Sequence, residues 1–230
     1  MQKFTNHLAV GHMAYNFKTK THEDYLTVQG RKGVFRLTQQ EATLWSVLSH
    51  GPLAPIQMEA EYNTMIDRSD IREDASVDHC LRHLRRLGLV VSGEGDFPLE
   101  ARYNAMRNVL VIPFPKALPK RIHVAVHLLA RRSASFTDVK TLFPHRHPTD
   151  LEAEILTLVS HAPLTVAQLI MLVECKTWSA ETVGGVIECL KQDGRSAMNT
   201  YSEMMYASSD MERVLDAVTA LRQDRKIACM

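Results

Sequence analysis

No run of apolar residues in this chain approaches the roughly 18 that a membrane-spanning helix requires. The N-terminus, MQKFTNHLAV, has no hydrophobic targeting segment. The expectation is a cytoplasmic protein with no membrane partner. Cysteine is scarce: Cys80, Cys175, Cys189 and Cys229 have none of the paired spacings of zinc ribbons or redox motifs, and they read as reduced core thiols. Missing too are a glycine-rich phosphate loop, a nucleophile elbow and a paired-carboxylate motif. That leaves no catalytic and no cofactor-binding candidates, so an enzyme is not expected. Charge of one sign is also lacking. With 27 Lys+Arg against 26 Asp+Glu, the net +1 argues against coating nucleic acid by bulk charge, while leaving room for a local basic face.

What is present has the balance of a globular protein, 45% hydrophobic and 23% charged. At 230 residues the chain can hold one large domain or two small ones. An internal repeat decides for two. LTQQEATLWSVLSHGPLA, from Leu37, returns as PTDLEAEILTLVSHAPLT, from Pro148. At a constant offset, Thr38, Glu41, Ala42, Ser49, His50, Pro52 and Leu53 meet Thr149, Glu152, Ala153, Ser160, His161, Pro163 and Leu164. In each copy a capping Thr with an acidic residue three positions on starts a helix. Apolar residues follow at helical spacing, and a Pro turn ends it and begins another element. His50 and His161 stand just before that turn, where a His interacts with the last carbonyls of its helix.

Before the first copy, DYLTVQG and VFRL flank Gly30-Arg31-Lys32-Gly33, a hairpin signal. IQMEAEYNTM reads as a second helix and SVDHCLRHLRRL as a third, capped by Ser76 and stopped by Gly88. After it, two strands round a polar turn over 91–112 read as a wing. Pro113, Pro115 and Pro119 then mark a boundary. Helical segments are expected at RIHVAVHLLARR and FTDVKTLF. In the second copy, a helix near 179–192 or one at 210–224 matches the helix at 76–87. The expected domains are 1–112, with N-terminal strands; 113–147, a Pro-rich linker with a helical segment; and 148–230.

The third helix carries the candidate site. Val77, Cys80, Leu81, Leu84 and Leu87 form its apolar face, and His79, Arg82, His83 and Arg86 the opposite stripe, at i, i+3, i+4 and i+7. Arg suits phosphate contact and bidentate readout of guanine, and His contacts either. The competing account is a solvated face with a charge excess. Arg102 and Arg107, in the expected wing, would support on the DNA backbone. His79 with His83, and His123 with His127, have metal-ligand spacing, but no third ligand accompanies them, so no metal is expected. His145 and His147, in PHRHP, would have to be recruited from the linker, and nothing requires it.

The run LTQQEATLWSVLSHGPLAPIQM followed by SVDHCLRHLRRLGLVVSGEGDF resembles the winged helix-turn-helix superfamily of bacterial transcription regulators, whose last helix reads DNA. Preceded by short strands and GVFRLT, it also resembles the precursor-peptide recognition domains typified by the pyrroloquinoline-quinone chaperone family. There, three strands precede three helices and a leader peptide adds a strand to the sheet edge. The first resemblance implies an α+β, mainly helical chain of two winged helix-turn-helix domains in tandem. It implies a sequence-specific regulator of double-stranded DNA with the helix 76–87 in the major groove, working as a homodimer. The second domain, lacking an equivalent basic face, would mediate self-association or bind a protein or peptide partner. The alternative is an adaptor, a peptide-binding or protein-assembly module built from tandem winged helices.

Overall fold

The computed structural model describes residues 3–13, 26–68, 75–114, 146–175 and 209–230. Among them the chain is mixed α/β, with seven helices and three small antiparallel sheets. The helical segments expected at 121–132, 136–143 and 179–192, with most of the Pro-rich linker, lie outside the described residues.

The first half opens with β1 (Phe4–Ala9) and a three-stranded sheet of β2 (His12–Met13), β3 (Leu26–Gly30) and β4 (Gly33–Leu37). Arg31 and Lys32 form the β3–β4 turn. Gly33, at φ +140°, supplies a conformation side chains rarely adopt. Three helices follow, α1 (Gln39–Ser49), α2 (Pro55–Asp67) and α3 (Val77–Leu87), and then β5 (Val90–Gly95). The capping box of α1 is complete: Thr38 Oγ1 accepts from Glu41 N at 3.3 Å, and Glu41 Oε2 accepts from Thr38 N at 3.0 Å. Leu44, Leu48, Met58, Tyr62 and Leu84 interlock in the core of this half.

Where a wing was expected over 91–112, the chain forms a helix instead. β5 is followed by α4 (Pro98–Met106), and β6 (Leu110–Pro113) belongs to another sheet. Pro98 occupies the first turn of α4, and Glu100 Oε2 accepts from Asp96 N at 2.7 Å. The helix presses on β5. A Cβ on Gly93 would stand 2.0 Å from Ala105 N, and one on Gly95 2.7 Å from Ala101 N. These glycines are therefore a packing surface and not a wing turn.

The second half contains α5 (Asp150–His161), β7 (Leu164–Thr165), α6 (Val166–Cys175), α7 (Ser209–Gln223) and β8 (Ile227–Cys229). Thr149 and Glu152 repeat the capping box at the same 3.3 Å and 3.0 Å. The strand pairings repeat as well. In the first half His7 pairs with Ser92 of β5 and bridges Leu53, in the turn between α1 and α2. In the second, Val111 of β6 pairs with Cys229 and Leu164. β6 thus does for α5–α7 what β1 does for α1–α3, and the boundary expected after residue 112 falls inside it.

The two halves touch closely. Leu8, Val10, Tyr103 and Met106 enter the same core as Ile155, Leu158, Leu169, Val214 and Leu221. Gly11 N donates to Cys229 O at 2.6 Å, joining β1's continuation to β8. Cys80 and Cys229 are buried free thiols. No helix among the described residues is long and apolar enough to cross a membrane.

Candidate nucleic-acid interface

The geometry of α3 follows directly from its residues. Ser76 Oγ accepts from His79 N at 3.3 Å, and Gly88, at φ 72°, ends the helix while its N–H donates to Arg85 O and Leu84 O. Cys80, Leu81 and Leu84 are buried, with Val77 and Leu87 packed beside them. That fixes the opposite face toward solvent. His79, Arg82 and Arg86 are exposed on it, and Arg85 is exposed on its flank. None of the four forms an ion pair with a described residue. Arg82 Nε donates to Asp78 O at 3.2 Å, within its own helix.

His83 has a different job. Its Nδ1 contacts Glu41 Oε1, so it ties α3 to the start of α1. Burial alone would raise the Glu41 carboxyl. The Thr38 N–H, the His83 contact and the Thr38 hydroxyl outweigh it and hold the group below its ordinary value. His83 is half-exposed and turned toward a carboxylate, whereas His79 stands alone in solvent. The two therefore do not form a joint ligand pair. Among the described residues no three His, Cys, Asp or Glu side chains come together as metal ligands. His123, His127 and His145 lie outside the described residues, and His147 is exposed.

Arg102 is not free to contact a DNA backbone. Its Nη1 pairs with Asp216 of α7 at 2.7 Å and its Nη2 donates to Thr219 Oγ1 at 3.3 Å. Arg107, at the end of α4, is exposed, and its carbonyl accepts from Ala167 N at 3.1 Å. The two arginines thus belong to a helix between the halves. His50 Nδ1 contacts Ser46 O at 2.9 Å, the local carbonyl interaction its position suggests.

α7 holds in the second half the place of α3. Each ends in a left-handed residue, Gly88 at φ 72° and Arg225 at φ 53°, and leads into a strand with the same pairing. Counted back from those residues, Asp216, Thr219 and Gln223 stand where His79, Arg82 and Arg86 stand on α3. The corresponding face of α7 is occupied. Asp216 and Thr219 meet Arg102, Thr219 Cγ2 approaches Gly51, and Gln223 Nε2 donates to His50 O at 2.6 Å. One copy of the face holds the halves together, and the other, among the described residues, is exposed and basic.

Three cations, Arg85 on the flank of α3 and Arg31 and Lys32 beside it, were not singled out by the helix pattern. Arg31 and Arg85 line a half-open cleft of about 390 Å³ with Ser92, Asn104, Asn108 and Met230, and no Asp or Glu side chain lines it. Lys32 extends over the end of α3, its Cε 3.6 Å from where a Cβ on Gly88 would stand. Burial, then the nearby Arg85, pushes His7 toward its neutral form, and its Nδ1 is 2.8 Å from Ser92 Oγ. A turn sequence flanked by glycines signals a hairpin but not what the hairpin leans on. Compared with protein-family models, curated proteins and solved structures, the chain matches none.

Proposed function

We propose that the chain is a sequence-specific DNA-binding regulator built from two winged-helix-like units, with α3 of the first unit entering the major groove. The observation that carries this reading is the open face of α3. Among the described residues, its exposed His79, Arg82, Arg85 and Arg86 have neither an acidic partner nor a covering element. Phosphate neutralisation needs such unpaired cations, and guanine readout needs them on a helix that fits the groove. The second unit, whose equivalent face meets the first, acts as a scaffold. Pairing of two chains would set two α3 helices on half-sites about one DNA turn, roughly 34 Å, apart.

The test is the R82A/R86A double variant against duplexes selected from a random pool. Both side chains are exposed, so stability should change by no more than about 0.5 kcal/mol. Affinity should fall, and the slope of log K against log salt should shrink by roughly 2. An unchanged affinity with folding intact removes α3 from the interface and the reading with it.

A second reading, a peptide-binding adaptor, is favoured by one observation. β4 is an edge strand of its sheet, and its Val34 is 56% exposed. An open edge is a template for an added strand. Under that reading, substitutions on β4, and not on α3, abolish binding, and the bound species is an extended peptide.

A further inference from the structure

We infer that the β3–β4 hairpin tip, Arg31 and Lys32, grips a phosphate backbone beside α3, the task a wing after β5 would have had. This rests on the DNA-binding reading. The segment after β5 is unavailable for that task, because α4 is packed between β5 and the second half and its Arg102 is bound to Asp216 and Thr219. The hairpin is held in place against the C-terminal end of α3. Gly30 lies against Leu89, with a would-be Cβ 2.8 Å from Leu89 Cδ2, and Lys32 rests on Gly88. Arg31 and Arg85 open onto one cleft that no Asp or Glu side chain lines, so the hairpin's charge and the flank of α3 are continuous. Neither Arg31 nor Lys32 forms an ion pair with a described residue.

The spacing suits the chemistry. Gly88 is six positions beyond Arg82, or about 9 Å along a helix rising 1.5 Å per residue. The major groove is about 12 Å wide. With Arg82 over base edges, the end of α3 and the side chains leaning on it stand above the strand bordering the groove. Cations placed there meet phosphate oxygens and no base, so they add affinity without sequence preference.

The experiment uses the full chain, fluorescein-labelled 30-base-pair duplexes of mixed sequence, and anisotropy over a salt series. R31A/K32A is compared with wild type and with R82A/R86A, and a charge-reversed R31E/K32E variant guards against a small effect. Thermal melts establish that each variant is folded. The expected result is an equal weakening by R31A/K32A on every duplex, a salt slope smaller by roughly 1 to 2, and loss of binding in R31E/K32E. If R82A/R86A weakens binding while both hairpin variants keep wild-type affinity and slope, the hairpin role is overturned and the α3 reading stands. A hairpin effect confined to certain sequences overturns the phosphate role. If wild type binds no duplex even at low salt, the DNA reading itself is overturned, and this inference goes with it.

Discussion

Glu41 shows how much one side chain does here. Only 6% exposed, it closes the capping box of α1 and receives His83 from α3. Its carboxyl sits below the ordinary 4.5, so folding favours the ionised form. A group lowered in this way contributes stability at pH above its unfolded value, and that contribution is lost as pH falls through the folded value. Glu41→Gln should therefore cost about 1 kcal/mol near neutrality. It should also flatten the acid limb of stability below the ordinary carboxylate value, in urea midpoints measured across pH. A parallel acid limb in the variant would show that Glu41 carries no such linkage. Gly93 is the opposite case, a residue whose value is its missing Cβ. Gly93→Ala drives a methyl group to 2.0 Å from Ala105 N, so α4 must lift, at a cost of about 3 kcal/mol or more. A melting temperature within a degree or two of wild type would contradict the close packing.

Among the elements, those with caps and a single apolar stripe were legible. Ser76, Gly88 and the Cys80/Leu81/Leu84 face define α3 in the sequence as they do in the structure. Gly88→Ala should cost about 1 to 2 kcal/mol, since an alanine must adopt the left-handed conformation; equilibrium denaturation checks it, and a neutral result would mean the turn can rearrange. α4 was illegible for a physical reason. Its buried Ala101, Tyr103 and Ala105 alternate as in a strand, because the helix is covered on more than one side by β5 and the second half. The basic stripe takes in His83 for a related reason: helical spacing gives the angle of a side chain, not the carboxylate 42 residues earlier in the chain that it meets.

At the scale of the molecule, the repeat produced two halves with the same pairing register but different uses for the same helix face. Arg102 is part of the seam between them. Because Asp216 is 62% exposed, Arg102→Ala should cost less than about 1 kcal/mol and leave the salt slope of DNA binding unchanged. A slope reduced as strongly as in R82A/R86A would return Arg102 to the interface. The sequence by itself determined the duplication, because the same run of residues returns at a constant offset, and the two capping boxes, the β3–β4 hairpin and the amphipathic α3, because each depends on residues within a few turns of one another. Only the tertiary structure decided that α4 replaces a wing, that α7 and not an open surface receives Arg102, that His83 answers Glu41, and that Arg31 and Lys32 lean on the end of α3. Those outcomes depend on which elements come to rest against each other, and a local pattern of polar and apolar residues specifies that a face will be covered without specifying by what.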